Sequence, residues 1–166
     1  MVIEPLDPKL HDRTAFDCGE PVMNKYLQTT ARQHAERDVG VTHVAVGDVG
    51  PPQILGYVTL ALKTLSRENL AIKGLPKGDY GMALIAQLAV GKEWRGKGIG
   101  VRLLYFALYK ARELSKTFGL IGVALDLLNE DKRAYYVKRG FKPLPDSPNR
   151  LFISMKQIRQ LPLHPS

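Results

Sequence analysis

The chain has 166 residues, 45% hydrophobic and 24% charged, a length and balance that suit a single enzyme-sized domain with a sizeable core. Its 24 Lys and Arg against 16 Asp and Glu give a formal net charge of +8, which points to polyanionic partners. The lone Cys18 excludes an internal disulfide framework, the four histidines show no metal-ligand spacing, and no apolar run reaches the length of a membrane span.

The N-terminal residues MVIEPLDPKLHD lack a basic region followed by an apolar one, so no secretory signal is read there and a cytoplasmic, metal-free protein is expected. In chain order, residues 2–6 read as a short strand. Phe16-Asp17-Cys18-Gly19 reads as a turn, and Glu20-Pro21 opens a helix to about Glu36, with proline well placed in its first turn. Val22, Tyr26, Leu27 and Ala31 follow helical spacing and should form its buried face. Thr42–Gly47 and Ile54–Leu62 read as two strands joined through Gly50-Pro51-Pro52. Residues 63–81 are polar, basic and glycine-containing, with a weakly signalled short helix over Ser66–Ala71.

Met82–Val90 is almost wholly apolar, broken only by Gln87, the pattern of a strand buried on both faces. A long helix follows from about Gly98 to Phe118, striped by Ile99, Leu103, Phe106, Ala107 and Leu114 and stopped by Gly119. Leu120–Leu127 reads as a strand, Asp131–Arg139 as a short helix stopped by Gly140, and Leu151–Met155 as a last strand. The tail Leu161–Ser166, with two prolines, reads as loose. A strand pair followed by alternating strands and helices makes a mixed α/β sheet over residues 1–160.

The chemistry lies between the buried strand and the long helix, at Arg95-Gly96-Lys97-Gly98-Ile99-Gly100. Glycines there remove side chains so that a diphosphate can approach, and first-turn amides with the helix dipole can hold it. Two nucleotide motifs fail on spacing. Gly91–Lys97 satisfies seven positions of G-x-x-x-x-G-K-[ST], but Gly98 stands where a hydroxyl must hold Mg²⁺. The fingerprint G-x-G-x-x-G meets Val101 when started at Gly96 and Leu103 when started at Gly98. On this loop alone, a glycine-rich turn with no ligand stays open.

The pattern R/Q-x-x-G-x-G/A does fit, and it resembles the acetyl-CoA pyrophosphate loop of the GNAT acetyltransferases. A second segment, Asn129-Glu130-Asp131-Lys132-Arg133-Ala134-Tyr135-Tyr136-Val137-Lys138-Arg139-Gly140-Phe141, resembles that family's N-x-x-A-x-x-x-Y-x-x-x-G-F, with Ala moved from the fourth place to the sixth. The resemblance implies a mixed, mostly antiparallel central sheet with one splayed parallel strand pair, flanked by helices, and acetyl-CoA as donor. It assigns donor binding to the backbone of Leu88, Ala89 and Val90, to Arg95, Gly96, Lys97, Gly98, Ile99 and Gly100, and to Asn129, whose ordinary alternative is a turn or helix-start residue. It implies Tyr136 as general acid, because the family's tyrosine stands four residues before the Gly of G-F. Packing of either Tyr135 or Tyr136 into the core is the structural alternative.

The buried strand offers Gln87 where many relatives carry a basic Glu, and Glu93 lies beyond the strand. A missing base is tolerable if the acceptor is an α-amine, with a pKa of roughly 7.7–8.0 against about 10.4 for lysine. Cys18 as an acyl-carrying nucleophile is a minor alternative.

Phe16-Asp17-Cys18-Gly19-Glu20-Pro21-Val22-Met23-Asn24-Lys25-Tyr26-Leu27, with Ala31 and Gln33, is similar to F-x-C-G-x-x-x-L-x-x-[FYW]-L-x-x-x-A-x-Q of the toxin subgroup of bacterial toxin–antitoxin modules. Met23 replaces the usual Leu, and Gln87-Leu88-Ala89-Val90 resembles that subgroup's R-L-A-V. The subgroup implies aminoacyl-tRNA as acceptor, a ribbon–helix–helix antitoxin partner and a homodimer. Lys63, Arg67, Lys73 and Lys77 are the candidate RNA-binding residues; charge alone leaves nucleic-acid contact and simple attraction of CoA equally open. An acetyltransferase acting on small-molecule or protein amines is the alternative function, and a non-catalytic CoA-fold module is another.

Overall fold

The computed structural model describes residues 1–48, 50, 52–70 and 72–164; Pro51, Ala71 and positions 165–166 of the expected loop, helix and tail lie outside the described residues. Among the described residues seven strands are present: β1 Val2–Pro5, β2 Val41–Val46, β3 Ile54–Ser66, β4 Asp79–Val90, β5 Gly122–Asp126, β6 Lys142–Leu144 and β7 Ser147–Ser154. Their order in the sheet is β1-β2-β3-β4-β5-β7-β6. β1–β2, β2–β3, β5–β7 and β6–β7 are antiparallel, and β4–β5 is the parallel pair. That parallel register runs only from Ala83↔Val123 to Ile85↔Leu125, so β4 continues past it for five more residues, 86–90.

The helices are α1 Pro21–Lys25, α2 Ala31–Glu36, α3 Ile99–Leu114, α4 Arg133–Val137 and α5 Met155–Ile158. A π turn over Tyr26–Thr30 joins α1 to α2, where the Ala31 amide reaches back five residues to the Tyr26 carbonyl. The expected helix is therefore continuous to Glu36 with a shifted register. Leu27 and Ala31 are buried as anticipated, whereas Val22 is 69% exposed. Among the described residues no helix is long and apolar enough to cross a membrane.

The chain divides into two units. The first contains Met1–Ala61, Ala86–Ala107 and the described end of the chain from Leu163, which is itself buried. Its core gathers Phe16, Cys18, Leu27, Val44, Val46, Ile54, Tyr57 and Ala89. Phe16 meets the Tyr57 ring edge-on, with centroids 5.5 Å apart, and the buried Tyr57 hydroxyl donates to the Met23 carbonyl at 2.9 Å. Gly56 lets β3 lie close: a Cβ there would stand 2.8 Å from the Ala89 carbonyl and 3.0 Å from Leu103.

The second unit contains Leu62–Ile85 and Leu108–Pro162, with a core built on Leu70, Met82, Ala124, Leu144 and Phe152. β3 extends four residues beyond its expected end, and the predicted helix after it is a single turn, Arg67–Asn69, that Ser66 does not cap. β4 is not buried on both faces throughout, since Ala86 is exposed and Leu84, Gln87, Leu88 and Val90 are half-buried. α3 ends at Leu114 rather than Phe118, and Gly119 has no left-handed backbone to act as a stop. Gly140 does take φ +97 and closes the α4 region as expected. β7 contains the expected last strand but starts four residues earlier and gives way to α5 at Met155, while β6 and α5 have no counterpart in the sequence reading, although Ser154 and Gln157 form a reciprocal capping box.

At Gly122 a Cβ would overlap the Ile153 carbonyl and lie 2.6 Å from the Phe152 ring. Gly122→Ala is expected to cost about 2–3 kcal/mol through overpacking, read as a lower denaturant midpoint at unchanged slope.

Candidate active site

The residues that the sequence singles out fall in both units. In the first, β4 ends at Val90 and the chain enters a tight loop. The Gly91 amide donates to the Leu55 carbonyl at 2.9 Å, and a Cβ there would stand 3.2 Å from Trp94. One turn, Lys92–Trp94, leads through an extended Arg95 to Gly96 and Gly98, at φ +74 and φ +78. A Cβ at either glycine would meet nothing within 4 Å, so the left-handed backbone is what requires glycine, and the space above the loop is open.

Ile99, buried at 5% exposure, seats the start of α3. The first rung into the helix is the Arg102 amide donating to the Gly98 carbonyl at 3.1 Å. The amides of Gly98, Ile99, Gly100 and Val101 lie ahead of that rung and take no acceptor among the described residues. Four such donors at the positive end of a 16-residue helix fit an oxyanion-rich group such as a pyrophosphate.

Of the loop cations, Lys97 has its ammonium 4.3 Å from the Trp94 ring centroid and no carboxylate partner among the described residues. The Arg95 guanidinium donates to the Cys18 carbonyl, and Lys92 Nζ bonds Asp17 Oδ2 at 2.7 Å. Cys18 is buried, and burial pushes its thiol pKa up, which suits packing rather than nucleophilic chemistry. Leu88, Ala89 and Val90 are the last three residues of β4, beyond the span paired with β5.

In the second unit, Tyr136 lies on α4 with its ring edge-on to Phe141, centroids 5.8 Å apart, and edge-on to Tyr135 at 5.0 Å. Burial, with a smaller push from Tyr135 and an opposing pull from Arg139, raises its pKa to about 12. Arg139 stacks 3.8 Å over the Tyr135 ring and donates to the Tyr135 carbonyl at 2.6 Å. The two tyrosines therefore have different surroundings, although neither is fully buried.

Asn129 is exposed and precedes the turn Glu130–Lys132, which its side chain does not cap. Two arginines tie the chain on either side of that turn to β7. Arg133 donates to the Pro148 carbonyl at 2.8 Å, and Arg150 grips Asp126 at 2.6 and 2.7 Å, which holds the Asp126 carboxyl below its usual range. Lys63 belongs to β3 and is half-buried, with its charge acting on Asp126. Arg67, Lys73 and Lys77 are exposed, and Arg67 and Lys73 line one surface depression with Glu68, Leu70 and Ile72. Sequence reasoning missed Asp17 and Asn24 at the loop: Asp17 and Lys92 stand 75 residues apart, and no local pattern links them.

A mostly antiparallel sheet with one short parallel pair, feeding a glycine loop and orphaned helix amides, defines the fold of a CoA-dependent acyltransferase. Residues 10–141 match the acetyltransferase (GNAT) family, and the chain belongs to it, an acetyltransferase with acetyl-CoA as donor. It is 30% identical to "Probable toxin TacT" of Sinorhizobium fredii over 96% of this chain and 94% of that one. It superposes with a TM-score of 0.89 on the AtaT toxin complexed with acetyl-methionyl-tRNAfMet, at 27% identity over 96% of this chain and 97% of that one. A tyrosine-to-phenylalanine mutant of AtaT, bound to the C-terminus of the antitoxin AtaR and acetyl-CoA, matches with a TM-score of 0.83, 27% identical over 96% of each chain.

Gly98→Ala should leave the fold almost untouched, since its Cβ meets no atom, yet a non-glycine residue in left-handed backbone costs roughly 1–2 kcal/mol and turns the following amides. The expected result is acetyl-CoA affinity lowered about tenfold by calorimetry, with the melting temperature lowered by only about 2–8 °C and the protein still folded at the assay temperature.

Proposed function

We propose that this acetyltransferase transfers acetyl from acetyl-CoA to the α-amine of aminoacyl-tRNA, and so blocks translation as the toxin of a toxin–antitoxin pair. The observation carrying this reading is the match, along nearly the whole chain, to a toxin caught with acetylated aminoacyl-tRNA. Exposed Arg67, Lys73 and Lys77 support it from the side of charge, with Lys63 as the fourth, more enclosed member. In this reading one acetyltransferase domain, residues 1–160, works in the cytoplasm as a homodimer and pairs with a ribbon–helix–helix antitoxin.

The donor supplies an activated acetyl thioester. The amides of Gly98–Val101 and the Lys97 ammonium hold its phosphates, with Arg95, Gly96 and Gly98 fixing the loop and Ile99 and Gly100 opening the helix. Backbone N–H groups of Leu88, Ala89 and Val90 receive its amide arm and the negative charge that develops on the carbonyl oxygen. Asn129 donates to the same arm. Neither Gln87 nor Glu93 is needed as a strong base, because an α-amine is partly neutral near pH 7.

Tyr136 donates to the departing sulfur. A phenol at about 12 is a weaker acid than a thiol near 8.5, so full proton transfer is uphill by roughly 5 kcal/mol. Its contribution is a hydrogen bond that strengthens as charge builds on sulfur, the proton following as the acceptor nitrogen sheds its own. Asn129, a residue of the wider family's pattern, favours a second reading in which small-molecule or protein amines are the acceptors.

Incubation with labelled acetyl-CoA and a mixture of charged tRNAs, free amines and peptides tests the acceptor. Label in the aminoacyl-tRNA fraction is expected; label confined to amines or peptides would select the second reading. Tyr136→Phe should lower kcat by about 10²-fold or more with acetyl-CoA affinity retained. Because the Tyr136 pKa is raised, its protonated form persists upward, and no alkaline loss of kcat from this group should appear near pH 10, where an ordinary tyrosine ionises. Replacing Lys63, Arg67, Lys73 and Lys77 together should raise KM for aminoacyl-tRNA and flatten its salt dependence, with small-amine acetylation unchanged.

A further inference from the structure

The turn Phe16–Gly19 meets the loop after β4 through several separate contacts. The Lys92 amide donates to the Asp17 carbonyl at 2.9 Å and Lys92 Nζ to Asp17 Oδ2 at 2.7 Å. The Arg95 guanidinium donates to the Cys18 carbonyl. A Cβ on Gly19, at φ +85, would stand 3.0 Å from Lys92 Cε and 3.3 Å from the Arg95 guanidinium, so only glycine lets these side chains lie across the turn.

The turn is itself braced. Asp17 Oδ1 accepts from the Gly19 amide and from Asn24 Nδ2, each at 2.8 Å, while Asn24 Oδ1 accepts from the Cys18 amide at 2.9 Å. Phe16 and Cys18 are buried in the unit's core, so the turn between them cannot drift. The Asp17 carboxyl lies far below its usual pKa, first through Lys92, then through Asn24 and the Gly19 amide, and stays charged at neutral pH.

We propose that Asp17, braced by Asn24, is a positioning residue for the acetyl-CoA loop: it anchors Lys92 while the Cys18 carbonyl anchors Arg95, and together they fix the direction of the amides from Gly98 to Val101. The charge pattern gives this a second consequence. Lys92 is balanced by Asp17 and Arg95 is engaged by a carbonyl, so Lys97 is the loop cation left to face phosphate. Arg95, which the sequence assigns to the donor, acts on it through the loop's shape. This inference rests on the loop being the donor site.

The test measures acetyl-CoA Kd by calorimetry, and KM and kcat for donor and acceptor, on the full chain and on Asp17→Asn, Lys92→Met, the double variant, Lys92→Arg and Gly98→Ala. Asp17→Asn and Lys92→Met should each raise donor Kd and KM about fivefold, with kcat at saturation and acceptor KM within about twofold. The double variant should be no worse than the more affected single variant, because both remove one interaction. Lys92→Arg, which keeps the ion pair, should bind like the parent protein. Were Asp17→Asn unable to fold, Lys92→Met and Lys92→Arg decide the question from the loop side. Parent-like donor affinity in Lys92→Met, or strictly additive losses in the double variant, would overturn the proposal. If Gly98→Ala also binds donor like the parent protein, the loop assignment itself has failed, and that result is distinct from failure of the anchor alone.

Discussion

Four backbone amides at the start of α3, with no acceptor among the described residues, set the terms for the rest of the proposed catalyst. A helix cannot satisfy its first-turn donors by itself, and an exposed set of them is a standing preference for anions. The loop that leads into them takes two glycines in left-handed backbone, Gly96 and Gly98, and a helix start seated by the buried Ile99. It also needs β3 and β4 close beneath, which the missing side chain at Gly56 permits. The core of the first unit thus serves to hold a short loop in one conformation.

The same constraint sorts the loop's charge. Exposed ion pairs contribute little to stability on their own, so the Lys92–Asp17 pair matters less as energy than as geometry. The pair engages Lys92, the Cys18 carbonyl separately engages Arg95, and Lys97 lies over the Trp94 ring with no carboxylate partner among the described residues. In the second unit arginines do comparable work: Arg133 and Arg150 tie the segment around Asn129 to the β7 side, while Lys73 and Lys77 stay at the surface.

Much of the fold was legible because apolar periodicity reports burial directly. The stripe of α3 from Ile99 to Ala107 and the apolar run of β4 stand where the pattern put them. What escaped was decided by distant neighbours. Lys63 reads as part of a basic loop but belongs to β3, because strand pairing, not polarity, sets where a strand ends. β6 is three residues long and exposed but for Leu144, and the first three residues of β7 are exposed too, so only the buried half of β7 carries a strand pattern, and the helix stop at Gly119 failed because α3 had already ended at Leu114. The capping pair Ser154 and Gln157, by contrast, is a local signal, because its two residues stand three apart in the chain.

By itself the sequence determined the local chemistry: a glycine loop able to take left-handed backbone, a helix to follow it, and a tyrosine four residues before a Gly-Phe pair. These depend on φ/ψ allowance and residue type within a few positions. Only the tertiary structure decided that Asp17 and Cys18 hold Lys92 and Arg95, that burial raises Tyr136 to about 12, and that Lys97 lies over Trp94 with no carboxylate partner among the described residues. Those outcomes turn on electrostatic and packing contacts between residues far apart in the chain, and spacing along a sequence carries no record of distance in space.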